Sequence, residues 1–374
     1  MRVAHLADVH LDSRFAQFSP EAQRKRQIAI EESLKHALRE ARERDVDLLL
    51  IAGDLYEQER FTPSTANFLR DELEAFEKPV FISPGNHDYY SPTSLYATVE
   101  WSNNVHVFTS TGFEPRTIED GLTLWGAAHL VPAETTNFLD GFQVDRAGIH
   151  IAVFHGAEES ELIYVHQIGG DDAAKAPYAP FRAQQIADAG LHHAFLGHIH
   201  TARDAGRHTY PGNPEPLTFG EGGPLRRGLV IATLDDTGAV TRERISVVTT
   251  SVHDVEVDLT GCMSNSDVRE TATTALRDLD GFVRATLVGE VGDAVDVRLE
   301  ELQDCTPKGV DAVAFRFGRL HVAYPIEQIA EETGTVRGRF VSDVLATDLD
   351  EETKHRVIVT GLRALDGRSD LAVA

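Results

Sequence analysis

The chain has 374 residues, 42% of them hydrophobic, so it is long enough for more than one domain and can bury a substantial core. Sixty acidic side chains outnumber 35 basic ones, and the net charge is -25. This charge excludes a simple DNA-coating or anionic-membrane surface, so any polyanion must be bound locally. Only six basic residues are lysines, which fits either a salt-adapted host or an ordinary acidic protein.

The two cysteines, Cys262 and Cys305, are too few for a disulfide framework, which fits a reducing compartment. No apolar run approaches the roughly 20 residues that cross a bilayer. The first predicted strand, Arg2 to Ala7, leads directly to Asp8, so a cleavable signal would remove a candidate ligand. We therefore expect a cytoplasmic protein with no membrane association.

Residues 1–250 alternate short apolar strands with amphipathic helices. Ser19 and Pro20 predict the start of a first helix, and a second runs from about Pro63 to Phe76. Strands dominate from Thr117 onward, an order that predicts two packed sheets flanked by helices. The predicted strands after the first are Asp47 to Ala52, Pro79 to Ser83, Leu122 to Ala127, Ile149 to Phe154, His193 to Leu196, Gly228 to Leu234 and Val240 to Val248.

The pattern changes near Ser251, and we predict three domains: 1–250, 251–310 and 311–374. In the second domain, a strand, a helix and a strand predict a small α/β unit that caps the site. In the third, one or two short strands precede a helical pair, a candidate region for docking a partner. The elements after Ser251 are Val252 to Leu259, Asp267 to Leu279, Phe282 to Val288, Arg337 to Ala346 and Glu351 to Leu365.

Five short clusters of potential metal ligands each follow an apolar strand. Loops that follow the strands of a sheet meet at one edge, so we expect these clusters to form one site. Taken alone, each has an ordinary alternative as a helix cap, a turn or a surface imidazole. The clusters are Asp8-Val9-His10, Gly53-Asp54, Gly85-Asn86-His87-Asp88, His155-Gly156 and Gly197-His198-Ile199-His200.

Together these clusters supply seven candidate ligands, enough for two ions that share the carboxylate of Asp54. Two divalent ions roughly 3.5–4 Å apart form a standard clamp for displacement at phosphorus. The mixture of nitrogen and oxygen ligands favours manganese, iron or zinc over magnesium or calcium. We predict that His87 acts as an acid or transition-state donor and that Asp88 holds its ring in one tautomer.

The ordered motifs DxH, GD, GNHD, HG and GHxH resemble the calcineurin-like metallophosphoesterase superfamily over roughly residues 1–235. This resemblance implies a two-sheet β-sandwich with flanking helices and a binuclear metal site. It also implies that His87 protonates or stabilises the leaving oxygen. One ion would be bound by Asp8, His10, Asp54 and His200, and the other by Asp54, Asn86, His155 and His198.

The opening LADVHLDSRF and the segment Tyr210 to Glu221 resemble SbcD-type DNA repair exonucleases, and the tail Val336 to Leu365 resembles the bacterial YhaO branch. The resemblance implies a dimeric, manganese-dependent nuclease that binds DNA and works with an SbcC-like coiled-coil ATPase in double-strand-break repair. Endonuclease activity is left open. Glu57 departs from the pattern, because some relatives have a histidine there near the DNA.

Several basic residues are candidates for contacts with DNA phosphates. The foremost are Arg14, Arg60, Arg203 and Arg226, followed by Arg24, Lys25, Arg26 and Arg227. Two other functions remain open: a small-molecule phosphatase or cyclic-nucleotide phosphodiesterase with the same metals, and a non-catalytic scaffold. The sequence thus predicts an α/β metallophosphoesterase with a small capping domain and a short C-terminal α/β segment.

Overall fold

A computed structural model describes residues 1–161, 163, 177–221 and 227–367 of the chain. The chain divides into two units, Met1–Ser251 and Val252–Ala374. In the part of the chain that is described, no helix has the length and apolar character needed to cross a membrane.

The first unit is built on two six-stranded sheets. Its strands in chain order are β1 (Arg2–Leu6), β2 (Leu48–Ile51), β3 (Val80–Ile82), β4 (Val105–Val107), β5 (Glu114–Glu119), β6 (Leu122–Gly126), β7 (Ile149–His155), β8 (His193–Gly197), β9 (Arg203–Asp204), β10 (His208–Tyr210), β11 (Gly228–Leu234) and β12 (Val240–Ser246). The first sheet has the order β12-β11-β1-β2-β3-β4, and the second has the order β5-β6-β7-β8-β10-β9.

Strand direction places the ligand clusters at the carboxyl ends of parallel strands. In the first sheet β1, β2, β3 and β4 run parallel, and in the second sheet β6, β7, β8 and β10 run parallel. The five clusters follow β1, β2, β3, β7 and β8. In each sheet, therefore, the candidate ligands come from neighbouring strands and leave the sheet at the same edge.

The two sheets share a hydrophobic core. Leu50 of β2 and Val230 of β11 are fully buried in the same cluster as Ile151 and Val153 of β7 and Phe195 of β8. Such continuous apolar strands are typical of sheets covered on both faces. The predicted fold class, two large sheets with flanking helices, is confirmed.

Helices flank the sheets, and the first of them begins at the predicted cap. They are α1 (Pro20–Glu43), α2 (Pro63–Glu74), α3 (Leu95–Thr98) and α4 (Ala183–Asp188). The Ala22 amide donates to Ser19 Oγ at 3.3 Å at the start of α1, and Thr62 caps α2 through the Thr65 amide at 3.2 Å. Each cap satisfies an amide that has no partner within its helix.

The second unit contains a parallel sheet of β13 (Val252–Asp258), β14 (Gly281–Gly292) and β15 (Val310–Ala323). Its helices are α5 (Asn265–Leu276), α6 (Leu299–Leu302), α7 (Ile326–Ala330), α8 (Val336–Leu345) and α9 (Glu351–Leu365). Ile358 and Leu362 of α9 are buried in one core with residues of all three strands. The predicted helical pair is confirmed, and one 14-residue strand stands where one or two short strands were expected. The capping role and the boundary at residue 310 stay predictions.

Candidate metal centre

Backbone hydrogen bonds tie together the loops that carry the first three clusters. The amide of Asp8 donates to Gly53 O at 3.0 Å, and that of His10 donates to Asp54 O at 2.9 Å. In the third loop, the His87 carbonyl accepts from the Gln58 amide at 2.9 Å. These bonds satisfy buried polar groups outside regular strands and hold the side chains of the three loops at fixed separations.

Four of the candidate ligands have an unusual backbone conformation. Asp8, His10 and Asp54 have φ of 56°, 53° and 53°, and His198 has φ of 105°. Positive φ costs a residue other than glycine on the order of 1–3 kcal/mol, and such strain clusters at functional sites. The surrounding fold therefore imposes this conformation at a cost, and it aims these side chains inward.

Three glycines in the motifs allow loops of different clusters to approach closely. A Cβ on Gly53 would lie 2.6 Å from His155 Nδ1, and one on Gly197 would lie 2.8 Å from the same atom and collide with Ala52 O. A Cβ on Gly85 would collide with the Asp54 carboxylate. The motifs GD, GNHD and GHxH thus need glycine because there is no room for a side chain.

The structure brings the candidate ligands to one place. Groups whose ligand atoms lie within 4.8 Å of one another are Asp8 with His10 and His200, His10 with Asp54 and His87, and Asp8 with Asp54 and His155. Asp54 Oδ2 lies 3.6 Å from His10 Nε2 and 3.2 Å from His155 Nε2. Asp54 therefore lies between two imidazoles that are predicted to bind different ions.

Asn86 and His198 join the same group. Asn86 Oδ1 lies 3.1 Å from His155 Nε2, and the His198 ring packs edge-on against the His155 ring at 5.3 Å between centroids. The His198 amide donates to Asp8 Oδ1 at 2.9 Å. All seven predicted ligands thus come together, while their division between two ions stays a prediction.

The residues present fit bound metal ions. His10 Nε2 is buried and has no hydrogen-bond partner among the described residues, a costly arrangement for a polar atom unless something binds it. Burial alone would raise the pKa of Asp54, but the imidazoles of His155, His87 and His10 hold it well below its ordinary value. A carboxylate among imidazoles is a donor set that suits divalent transition metals.

Two glutamates support imidazoles of this site through the other ring nitrogen. Glu57 Oε1 lies 2.8 Å from His10 Nδ1, and Glu221 Oε1 lies 2.7 Å from His200 Nδ1. Burial raises the pKa of Glu57, but hydrogen bonds with His10 and His87 outweigh it and lower this pKa to about 2. Carboxylates in this position fix the tautomer and orientation of metal-binding imidazoles.

Asp88 does not have the contact that we predicted. Its carboxylate accepts hydrogen bonds from the amides of Gly85, Asp54 and Leu55 at 2.6, 3.0 and 2.7 Å, and from Tyr96 Oη at 2.5 Å. The Nδ1 atom of His87 instead lies 3.0 Å from Glu57 Oε2. Because backbone amides surround the buried Asp88 carboxylate, Asp88 organises the loop backbone. Glu57 is the residue that holds the His87 ring.

The sequence missed Glu57 as a partner of His10 and His87, and it missed the supporting role of Glu221. Glu221 ends the segment Tyr210 to Glu221, and Asn213 Nδ2 of that segment donates to Glu221 Oε2 at 2.5 Å. The sequence of this segment indicated a resemblance to SbcD-type exonucleases, but it predicted no contact with His200. The contact of Glu221 with His200 depends on the tertiary fold.

Seven of the eight candidate phosphate contacts fall into three groups. Arg14, Arg60, Arg24 and Lys25 are exposed, whereas Arg203 pairs with Glu161 at 2.6 Å. Arg26 and Arg227 are buried and belong to ion pairs with Glu215 and Glu221, so the prediction that they contact DNA is wrong. Arg226 lies outside the described residues.

Comparison with known proteins agrees with this geometry. Residues 1–202 match the family model described as calcineurin-like phosphoesterase. The chain belongs to the calcineurin-like phosphoesterase family. Membership indicates a hydrolase with a metal site, and the predicted resemblance to this family is confirmed.

Three curated relatives are similar to the chain. The metallophosphoesterase YhaO of Bacillus subtilis is 28% identical over 248 residues, covering 62% of this chain and 57% of the relative. A protein named DNA double-strand break repair protein Mre11, from Methanopyrus kandleri, is 26% identical over 284 residues, covering 66% and 57%. The protein of that name from Archaeoglobus fulgidus is 23% identical, covering 96% and 84%. The chain thus spans less than two thirds of the first two relatives.

Proposed function

We propose that this phosphoesterase is a DNA nuclease that hydrolyses backbone phosphodiesters during double-strand-break repair, with exonuclease action as its main activity. The observation that carries the proposal is the convergence of seven candidate ligands beside His87, whose side chain is 44% exposed. Two relatives named as DNA double-strand break repair proteins support DNA as the substrate.

In the proposed reaction, seven residues bind the metal ions and His87 donates a proton. Asp8, His10, Asp54 and His200 would hold one divalent ion, and Asp54, Asn86, His155 and His198 the other. Bound ions would activate water and neutralise phosphate charge, and we propose manganese for both positions. His87 is reachable from solvent and is held at Nδ1 by Glu57, so it can give a proton to the departing sugar oxygen.

The acidic surface limits how DNA can bind. A net charge of -25 opposes a polyanion at long range. Local contacts by the exposed Arg14 and Arg60 would offset this repulsion only near the site, and such contacts weaken steeply with salt. We therefore propose that a homodimer and an SbcC-like coiled-coil ATPase supply much of the grip, with α8 and α9 as the docking region of the ATPase.

The test compares end-labelled linear duplex DNA with nucleotide monoesters, each incubated with the full chain and manganese. We expect shortened DNA and little phosphate release from the monoesters. Monoester turnover with intact DNA would overturn the nuclease proposal and favour a small-molecule phosphatase. Intact cyclic nucleotides in a parallel reaction would exclude the cyclic phosphodiesterase.

The role of His87 has its own test. The variant His87→Ala should retain bound manganese and lose about 100-fold or more in the rate of DNA cleavage, the usual contribution of a positioned acid. Asp54→Asn should lose both metal and activity, because this carboxylate lies beside both His10 and His155. Full activity of His87→Ala would refute the assigned role.

A further inference from the structure

Glu57 touches two histidines that have different tasks in the proposed reaction. Its Oε1 lies 2.8 Å from Nδ1 of His10, a candidate metal ligand, and its Oε2 lies 3.0 Å from Nδ1 of His87, the proposed acid. The side chain of Glu57 is only 15% exposed. One carboxylate therefore spans the gap between a ligand and the acid, with one oxygen on each.

The chemistry of these contacts fixes which ring atoms face the reaction. An ionised carboxylate only accepts hydrogen bonds, so each imidazole must donate from Nδ1. In a neutral ring this donation leaves Nε2 as the acceptor, the form that a metal ligand needs. For His87, a proton carried on Nε2 would be the one that is transferred. Glu57 thus sets the orientation of both rings.

The backbone around Glu57 makes it a rigid bridge. The Glu57 amide donates to Leu11 O at 3.0 Å, which ties it to the loop of His10. The next amide, Gln58, donates to His87 O at 2.9 Å. The two rings also meet edge-on, with 4.7 Å between centroids. Each histidine is thus connected to the Glu57 loop through both its own chain segment and its side chain.

We propose that Glu57 is a positioning residue that couples the acid His87 to the metal ligand His10. It would keep the imidazole that binds metal and the imidazole that protonates the leaving group in a fixed orientation relative to each other. The proposal rests on the proposed function. A second carboxylate provides a comparison within the molecule, because Glu221 contacts Nδ1 of His200 at 2.7 Å and accepts hydrogen bonds from Asn213 and from the Leu217 amide. Glu57 should therefore affect both metal binding and protonation of the leaving group, whereas Glu221 should affect metal binding alone.

The leaving-group test uses phosphodiesters of thymidine with phenols of different acidity. A nitrophenolate leaves without a proton, whereas phenol and the sugar oxygen need one. We expect Glu57→Gln to slow cleavage of the poor leaving groups roughly 10- to 100-fold and to have a much smaller effect on the nitrophenyl ester. Glu221→Gln should slow all esters alike. An equal loss for every ester in Glu57→Gln would overturn the proposal.

A double variant tests the coupling directly. If Glu57 acts on the leaving group through His87, then Glu57→Gln with His87→Ala should show the same dependence on leaving-group acidity as His87→Ala alone. A further change in this dependence when Glu57→Gln is added to His87→Ala would contradict the coupling. Glu59→Gln, an exposed carboxylate two residues away, is the matched control and should behave as the unchanged chain.

Two readouts do not depend on activity. Manganese affinity measured by calorimetry should fall roughly 10- to 100-fold in Glu57→Gln, and ¹⁵N spectra of histidine-labelled protein should show the His87 ring shift from one tautomer to a mixture. Unchanged affinity together with an unchanged His87 tautomer would overturn the proposal. If the unchanged chain cleaves no diester, the proposed function fails, and these two readouts still decide the role of Glu57.

Discussion

The imidazoles of the metal centre are supported in two different ways. His10 and His200 are each held at Nδ1 by a glutamate, whereas His155 Nδ1 donates to the backbone carbonyl of Ala52 at 2.9 Å. Around His155 the contacts are close enough to exclude a side chain on Gly53 or Gly197. One side therefore depends on charged side chains from distant segments, and the other on close backbone packing.

Substitutions on the two sides should therefore have different effects. Adding a single carbon on the His155 side forces the backbone apart, since protein interiors have little spare room. Neutralising a glutamate on the other side leaves the packing in place and weakens the hold on the ring. Substitutions on the His155 side should thus mainly reduce stability, and substitutions of the glutamates should mainly reduce metal affinity.

The largest effect is expected from Gly197→Ala. The new Cβ would collide with Ala52 O and press on His155 Nδ1, so we expect a loss of about 3 kcal/mol in the free energy of unfolding, at the upper end for overpacking. Urea denaturation measures this loss, and metal analysis should show less than the full manganese content. Gly206→Ala is the control, since a Cβ there meets nothing within 4 Å. Equal stability of the two variants would contradict the claim that close packing around His155 leaves no room for a side chain on Gly197.

A smaller effect is expected from Glu221→Gln, which tests the carboxylate-supported side. The amide can still contact the ring of His200, but the negative charge is lost, so manganese affinity should fall roughly 10- to 100-fold. Calorimetric titration with manganese measures this change. Glu215→Gln is the matched control, because this buried carboxylate of the same segment pairs with Arg26. The distinction fails if both variants lose affinity equally.

The smallest effect concerns His5, a fully buried imidazole of β1. Burial, with the charge of Arg244, lowers its pKa to about 3. Protonation near pH 6.5 then favours the unfolded chain, so stability is present above that pH and is lost as pH falls toward 3. We expect the His5 imidazole to lower the free energy of unfolding by about 1 kcal/mol when the pH falls from 7 to 5.5.

Urea denaturation of the unchanged chain and of His5→Leu at these two pH values isolates this contribution. The variant should lose less stability on acidification than the unchanged chain, because it lacks the buried group that must take up a proton. An identical loss in both proteins would show that His5 does not titrate in this way.

The sequence predicted the order of strands and the convergence of ligands because both depend on local patterns. Apolar runs ending in Asp8, Asp54 or His155 show where a strand stops and a polar group begins. The contacts of Glu57 with His87 and of Glu221 with His200 join residues 30 and 21 positions apart, and no local pattern records such pairs. They follow from how the loops meet once the sheets have formed.

Burial of charge was the other feature that the sequence could not predict. Arg26 was expected among surface residues, since arginine is rarely buried without a partner. Its partner Glu215 is 189 residues away, so the pair is invisible before folding. In the second unit, the sequence predicted one or two short strands, yet β15 pairs with β14 from Val310 to Ala323, with a shift in register between Phe317 and Leu320.

Five loops are proposed to form one centre for two metal ions around Asp54. A crystal of the full chain grown with manganese and measured at the manganese absorption edge would locate these ions. We expect two anomalous peaks on opposite sides of the Asp54 carboxylate, one beside His10 and His200 and the other beside His155 and Asn86. A single peak, or peaks away from Asp54, would contradict it.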